Sequence, residues 1–261
     1  MTGTKKRKYI ELHGEALLVP SLQLLQEFMS TLENFARYVP SHTPEYWNFH
    51  EPINRKFNLA ELHNELEKIP DRYILWRRRS SPKGWGSMNK RWHHLSGFQH
   101  AKHAFYLSTN DDEQVEQVIK YLHFLAKRFG VAYAFCDSLS PAYVLPARIN
   151  GFAPYGLMGA PTLKLIKRLP DIAWAQIFGS AYTALFGMEK LLSAPAHKVI
   201  QLTPDTVYLQ LSPSLFDMHE KFEEVDAIRQ QVKAYLDDNI IFDSSLPADH
   251  VYRTPQFEFP D

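Results

Sequence analysis

Residues 169–195 read LPDIAWAQIFGSAYTALFGMEKLLSAP, and the reading of this stretch decides how the chain is built. Leu169-Pro170-Asp171 has the form of a loop feeding a helix, because proline biases the residue before it away from helical geometry and Asp171 can cap the amides that follow. From Ile172 the apolar positions Trp174, Ile177, Phe178, Ala181, Tyr182 and Leu185 fall at helical spacing. Gly179 interrupts the run at a cost of about 1 kcal/mol relative to alanine. A glycine kept there suggests that another backbone or an aromatic ring comes close. Phe186-Gly187 ends the helix, since glycine takes the left-handed conformation used at helix C-termini. Met188 to Leu192 makes a short amphipathic turn stopped by Pro195. The whole stretch reads as a buried aromatic hub and carries no catalytic signature.

Outward from this hub, elements of two kinds alternate. Tyr9 to Val19 reads as a first strand. Ser21 is placed to cap a helix with the stripe Leu22, Leu25, Phe28, Met29, Leu32, Phe35, Ala36 and Val39, closed by Pro40 and Pro44. Tyr46 to Asn58 reads as an aromatic loop over the core, and Leu59 to Ile69 as a short helix. Arg72 to Arg79 is a strand, joined by the turn Ser81-Pro82-Lys83-Gly84-Trp85-Gly86 to an extended run from Trp92 to Thr109 with a kink at Gly97. Asn110 or Asp111 caps a second long helix with the stripe Val115, Val118, Ile119, Leu122, Leu125, Ala126 and Phe129, ended by Gly130. Val131 to Phe135 is a short strand, and Asp137 to Pro161 a long loop-like passage of the kind that is usually functional or contact-forming.

After the hub, His197–Leu202 and Thr206–Leu211 form a hairpin whose second strand alternates and reads as half-exposed. Asp217 with Glu220 resembles a capping box for a helix carrying Phe222, Val225, Ile228, Val232, Tyr235 and Leu236. Residues 1–8 read as a flexible basic tail and 243–261 as a proline-punctuated one. With no repeats and no linker, the expectation is one α+β domain over 1–261, helices packed on a mostly antiparallel sheet.

The 261 residues are 45% hydrophobic and 13% aromatic, which is ample for a sizeable core. With 29 basic against 29 acidic side chains there is no basic excess of the kind a general nucleic-acid binder carries. The single cysteine, Cys136, excludes an internal disulfide and a zinc site of several thiolates, and fits a cytosolic setting. No segment approaches the roughly 20 apolar residues that cross a bilayer, and Glu11, His13 and Glu15 interrupt what would be the apolar part of a signal peptide after Lys5-Lys6-Arg7-Lys8.

Tests for chemistry return little. The chain has no phosphate-binding glycine loop, no dinucleotide fingerprint and no nucleophile elbow. His93, His94, His100 and His103 are the best metal-ligand set. On a strand, however, His100 and His103 face opposite ways, while His94 and His100 stand about 20 Å apart, and sheet-surface histidines are the ordinary reading. Cys136-Asp137 at a strand end suggests a thiol nucleophile, yet a lone cysteine after an apolar strand is ordinarily inert core. No cofactor is called for. Arg77-Arg78-Arg79 with Lys83, Lys90 and Arg91 makes a basic patch interleaved with Trp76, Trp85 and Trp92, suited to an acidic surface or a single nucleic-acid strand; a solvated strand edge, protected by its charges, is the ordinary reading.

The segment LPDIAWAQIFGSAYTALFGMEKLLSAPAHKV, with the hairpin and helix after it, resembles bacterial polymorphic-toxin immunity proteins, of the immunity protein 52 type and its type VI-associated relatives. The resemblance rests on Leu169-Pro170-Asp171, Trp174, Phe178-Gly179, Tyr182, Gly187, Glu189-Lys190-Leu191-Leu192 and Pro195. It spans about residues 73–242 and is structural, not catalytic; residues 1–71 do not match, and Ser180 stands where relatives favour proline. It implies a cytoplasmic, non-enzymatic protein that binds and neutralises a co-encoded toxin, touching neither nucleic acid nor membrane. Arg77, Arg78, Arg79, Trp85, Arg91 and Trp92 are the candidate partner-binding residues. The competing expectations are a metal-dependent enzyme using His94, His100, His103 or Asp137, and a scaffolding component of a secretion or defence assembly.

Overall fold

The computed structural model describes residues 7–18, 25–68, 73–89, 92–94, 97–138, 162–236, 239–243 and 245–258. Ser21 and the passage 139–161 lie outside them.

In chain order the elements are β1 (Ile10–Leu18), α1 (Leu25–Tyr38), β2 (Tyr46–Asn48), β3 (Arg55–Lys56), α2 (Leu59–Lys68), β4 (Ile74–Arg78), β5 (Gly84–Asn89), β6 (Trp92–His94), β7 (Gly97–Gln99), β8 (Ala101–Thr109), α3 (Asp112–Arg128) and β9 (Val131–Ser138). There follow α4 (Thr162–Leu165), β10 (Ala175–Phe178), α5 (Ser180–Phe186), α6 (Met188–Leu192), β11 (Lys198–Thr203), β12 (Thr206–Gln210), α7 (Asp217–Glu220) and α8 (Phe222–Leu236). Ten strands form one sheet in the order β11-β12-β10-β9-β1-β8-β5-β4-β2-β3, with antiparallel ladders, so the protein is α+β as the element pattern predicts.

The long helices form where their stripes and caps require. Asp111 accepts a hydrogen bond from the Glu113 amide at 2.9 Å, and acidic residues open α3 while Lys127 and Arg128 close it, matching the helix dipole. The α1 and α3 stripes bury Phe28, Leu32, Phe35, Tyr121 and Leu122 against one face of the sheet. Across that face Trp76, Gly86, Phe105 and Gly14 stand in one register row. Glycine alternates with a large ring because a Cβ at Gly14 would fall 2.2 Å from the Phe105 ring. Phe35 packs on Trp76, Phe105 and His103 at ring distances of 5.0–5.3 Å.

The opposite, outer face is covered over only part of its width. Tyr182 of α5 packs on Phe178 and Tyr133 there, so the β9–β10–β12 side is sandwiched between helices. β12 is buried throughout, contrary to its alternating sequence: Tyr208 lies under His123 of α3, and Val207 and Leu209 face the α5 side. The half-exposed strand is β11, at the sheet edge.

Several sequence-based expectations are corrected. The helix expected from Ile172 to Leu185 is two elements. Ala175–Phe178 is a strand paired with both β9 and β12, and the helix begins only at Ser180. Gly179 sits at the junction, where a Cβ would meet the Val131 carbonyl oxygen at 1.9 Å, so the close approach expected there is real. Gly187 ends α5 at φ +92°. Tyr46–Asn58 holds the strands β2 and β3, and Gly84-Trp85-Gly86 belongs to β5, because the turn after β4 is shorter than its glycines suggest. Trp92–Thr109 is a small β6–β7 hairpin followed by β8. Asp217 and Glu220 make their own short helix, and Asp217 accepts from the Ser214 amide; no capping box leads into α8. Arg7, placed in the basic tail, pairs with Asp112 and Glu220 and lies over Phe216. The stretch after Asp243 is tied down: Tyr252 is buried, Phe257 meets His100 edge-on, and Arg253 donates to the Leu185 carbonyl.

Candidate functional site

On the outer face, β4, β5, β8 and β1 bring together residues far apart in sequence. Register places Arg77 opposite Trp85, Trp85 opposite Tyr106, and Tyr106 opposite His13. Trp85 stacks on Tyr106 at 4.2 Å with the rings 11° from parallel, and Tyr106 stacks on His13 at 4.2 Å and 3°. The His13 ring meets Phe135 edge-on at 5.0 Å. The row runs from solvent inward: Trp85 is 45% exposed, while His13 is 1% exposed. Tyr73 and Tyr9, both exposed, flank it, and the Tyr9 hydroxyl reaches to 3.4 Å from Ser81 in the β4–β5 turn.

Burial, with the nearby Lys102 charge, pushes the His13 imidazole down to about 3, so it is neutral at physiological pH. Neither ring nitrogen has a hydrogen-bond partner, so its role in the row is that of an aromatic plate. Trp85 is therefore held flat before any partner arrives, which lowers the ordering cost of a contact made on it.

The three consecutive arginines separate by strand alternation. Arg78 turns to the helix-covered side and is engaged there, by Glu45 at 3.1 Å and by the Thr43 and Pro82 carbonyls. Arg79 lies over the Tyr46 ring at 4.5 Å and donates to the Ile53 carbonyl. Arg77 is exposed, and among the described residues its guanidinium has no carboxylate or ring partner. Arg91 lies outside the described residues, as do the side chains of Trp92, His93 and His94.

His100 and His103 diverge to opposite faces, as a strand requires, but both are buried and not on the sheet surface. The His103 Nε2 accepts from the Trp76 indole at 3.2 Å, which leaves Nδ1–H to bond the Tyr121 hydroxyl at 2.7 Å; burial pushes this imidazole down to about 3. His100 bonds Thr162 at 2.9 Å and is pushed down to about 4 by burial. Among the described residues no group of three or more His, Cys, Asp or Glu is arranged to hold a metal ion.

The nucleophile candidates are equally enclosed. Burial pushes the Cys136 thiol well up, so it does not form the reactive thiolate. Asp137 is raised to about 6 by burial, and it accepts from the Ser138 and Trp174 amides at 2.7 and 3.2 Å, serving as a structural anchor for the chain entering β10. Ser138 and His219 form a pair that the sequence did not announce, at 2.9 Å. Its polarity is wrong for catalysis: the Ser138 hydroxyl donates to the Glu11 carbonyl at 2.6 Å, so His219 Nε2 is the donor toward it and cannot act as its base.

The outer row is thus a preformed aromatic surface beside a cation. Tyr106 and His13 do not stand out in the sequence because only the β5–β8–β1 register reveals them.

No protein-family model matches the chain, and no curated protein matches it in sequence. Among solved structures, the fold is similar to that of the Pseudomonas aeruginosa T6SS protein PA0821, with a TM-score of 0.53 at 13% identity, over 89% of this chain and 76% of that one. A slighter likeness, TM-score 0.30 at 11% identity over 51% of this chain and 88% of that one, is to a chain in the crystal structure of the toxic C-terminal tip of CdiA from Pseudomonas aeruginosa in complex with immune protein. No helix among the described residues is long and apolar enough to cross a membrane.

Proposed function

We propose that this protein is an immunity-type inhibitor that binds a co-encoded toxin in the cytosol and neutralises it by protein–protein contact, with no chemistry of its own. The observation that carries the reading is the Trp85–Tyr106–His13 stack beside Arg77: a partly exposed, stacked ring next to an exposed guanidinium that has no carboxylate or ring partner among the described residues, the residue types that anchor protein interfaces. The resemblance of Leu169–Pro195 to immunity proteins of polymorphic toxin systems supports it, and so does the likeness in fold to a T6SS protein. The burial of Cys136, Asp137, His100 and His103 takes the nucleophile and metal-ligand candidates named from sequence out of reach of a substrate.

The test is protection. The product of each gene adjacent to this one is induced in a susceptible bacterium, with and without this protein, and growth is followed. Rescue from one such product, with a stable complex of the two on gel filtration, supports the reading. Failure to rescue from any of them, with no complex formed, overturns it.

A further inference from the structure

Between Arg72 and Asn110 the sequence holds eight Lys or Arg and no Asp or Glu, in a chain whose 29 basic and 29 acidic residues cancel overall. The fold divides this excess between the two faces of the sheet. Within that segment β4, β5 and β8 are consecutive neighbours, with α1 and α3 on one side of them and, on the other, an outer face that carries the exposed Arg77 and Trp85. Arg78 and Arg79 are engaged by Glu45, Tyr46 and backbone carbonyls, which leaves Arg77 as the cation of the triplet that points out unpaired among the described residues. Its neighbour in register is Trp85, 45% exposed and clamped from behind by Tyr106. A guanidinium and a fixed indole side by side recognise a carboxylate followed by a flat or aliphatic side chain: the first through a bidentate charge-assisted pair, the second by stacking or burial.

From this we propose that the outer face of β4–β5–β8 is a docking surface for an acidic segment of a partner protein, with a carboxylate on Arg77 and an apolar side chain laid on Trp85. That the partner is the toxin rests on the function proposed above; the preference for acidic protein does not. A nucleic-acid strand is the poorer occupant. The chain has no net positive charge to draw in phosphates, and one clamped indole is not the succession of stacking rings a single strand uses.

The surface is tested with purified full-length protein and labelled probes: a short peptide repeating Glu-Glu-Phe-Gly, its Lys-Lys-Phe-Gly counterpart, and oligothymidylate, read by fluorescence anisotropy. The acidic peptide is expected to bind at least about tenfold more tightly than the basic one and to weaken with added salt. Arg77→Glu and Trp85→Ala should each weaken it about tenfold or more; Trp85→Ala also loses the stack on Tyr106 and melts lower, so binding is compared at a temperature where circular dichroism shows both variants folded. Equal binding of the two peptides, or binding unmoved by Arg77→Glu in a folded variant, overturns the proposal. Oligothymidylate that outcompetes the acidic peptide overturns it in favour of nucleic acid. If the acidic peptide binds here but no toxin is neutralised, the functional reading falls and the surface stands. If a toxin is neutralised but the peptide does not bind, the reverse holds.

Discussion

The junction at Gly179 gives a sharp quantitative test of the architecture. β10 ends at Phe178 and α5 begins at Ser180, so the chain must turn within one residue while its amide still donates to the Ala132 carbonyl at 3.2 Å. A Cβ added there would lie 1.9 Å from the Val131 carbonyl oxygen and 3.0 Å from that of Ala132. A carbon–oxygen contact is ordinarily about 3.3 Å, so Gly179→Ala requires a displacement on the order of 1.4 Å. The obstacle is backbone of a strand bonded on both sides, not a flexible side chain that can swing away. Overpacking of this kind costs about 1–3 kcal/mol, and losing the Gly179–Ala132 bond adds about 1 kcal/mol. The sum, about 3 kcal/mol, corresponds to a fall in melting temperature of roughly 10 °C for a chain of this size. Calorimetry on wild type and Gly179→Ala checks it. A fall of less than about 3 °C would refute the claim that β10 and α5 meet through a backbone contact, and with it the placement of β10 against β9.

Stability should also fall on acidification. His13 and His103 are held near 3 in the folded protein, against about 6.5 unfolded, so between those values the unfolded chain binds protons that the native one does not. Each should cost about 2 kcal/mol at pH 5 relative to pH 7, with His100 acting in the same direction. Asp137, raised to about 6, opposes them, because its folded form takes a proton first and returns about 1.3 kcal/mol over the same interval. The net loss, at least about 2.5 kcal/mol, is read from urea midpoints at the two pH values; equal midpoints would contradict the burial of these histidines. Arg229→Met should cost about 2–3 kcal/mol in the same urea assay. It removes a fully buried guanidinium that donates to the Ile172 carbonyl at 2.8 Å and to Asp226 at 3.0 Å, and a loss below about 0.5 kcal/mol would show that this arginine does not pin α8 to the chain entering β10.

What the sequence discloses follows from which interactions are local. α3 is legible residue by residue, from the Asp111 cap through its stripe to Gly130, because every determinant lies within the helix. The β11–β12 hairpin is legible for the same reason. The hub is half legible. Trp174, Ile177 and Phe178 sit at helical spacing, but a four-residue strand buried on both faces shows no alternation, and such a run cannot be told from buried helix by periodicity. Gly179 was the available signal: its close approach was foreseen, yet it marks the change from strand to helix and not a notch within a helix. β2 and β3 escaped because strands of three and two residues are defined by pairing alone: β2 by its ladder with β4, which is a long-range fact, and β3 by its ladder with β2.

The candidate site divides in the same way. Trp85 and the arginine triplet stand out by composition, and strand alternation sorts Arg77 from Arg78. The aromatic backing does not stand out: His13, Tyr106 and Trp85 lie on three strands whose register was not readable from one sequence. For that reason Arg77, and not Arg78, is the arginine to alter.

The most direct test of the account is the dissociation constant between this protein and the toxin that the proposed function assigns to it, measured by titration calorimetry with wild type and with Trp85→Ala combined with Arg77→Ala. Covering the exposed part of Trp85, ~110 Å² of a large ring, is worth about 2.8 kcal/mol. The account therefore predicts that affinity for the toxin drops by about 100-fold or more in the double variant, with protection lost in step. An unchanged dissociation constant, in a variant shown to be folded at the temperature of the titration, would contradict it and place the toxin on another surface.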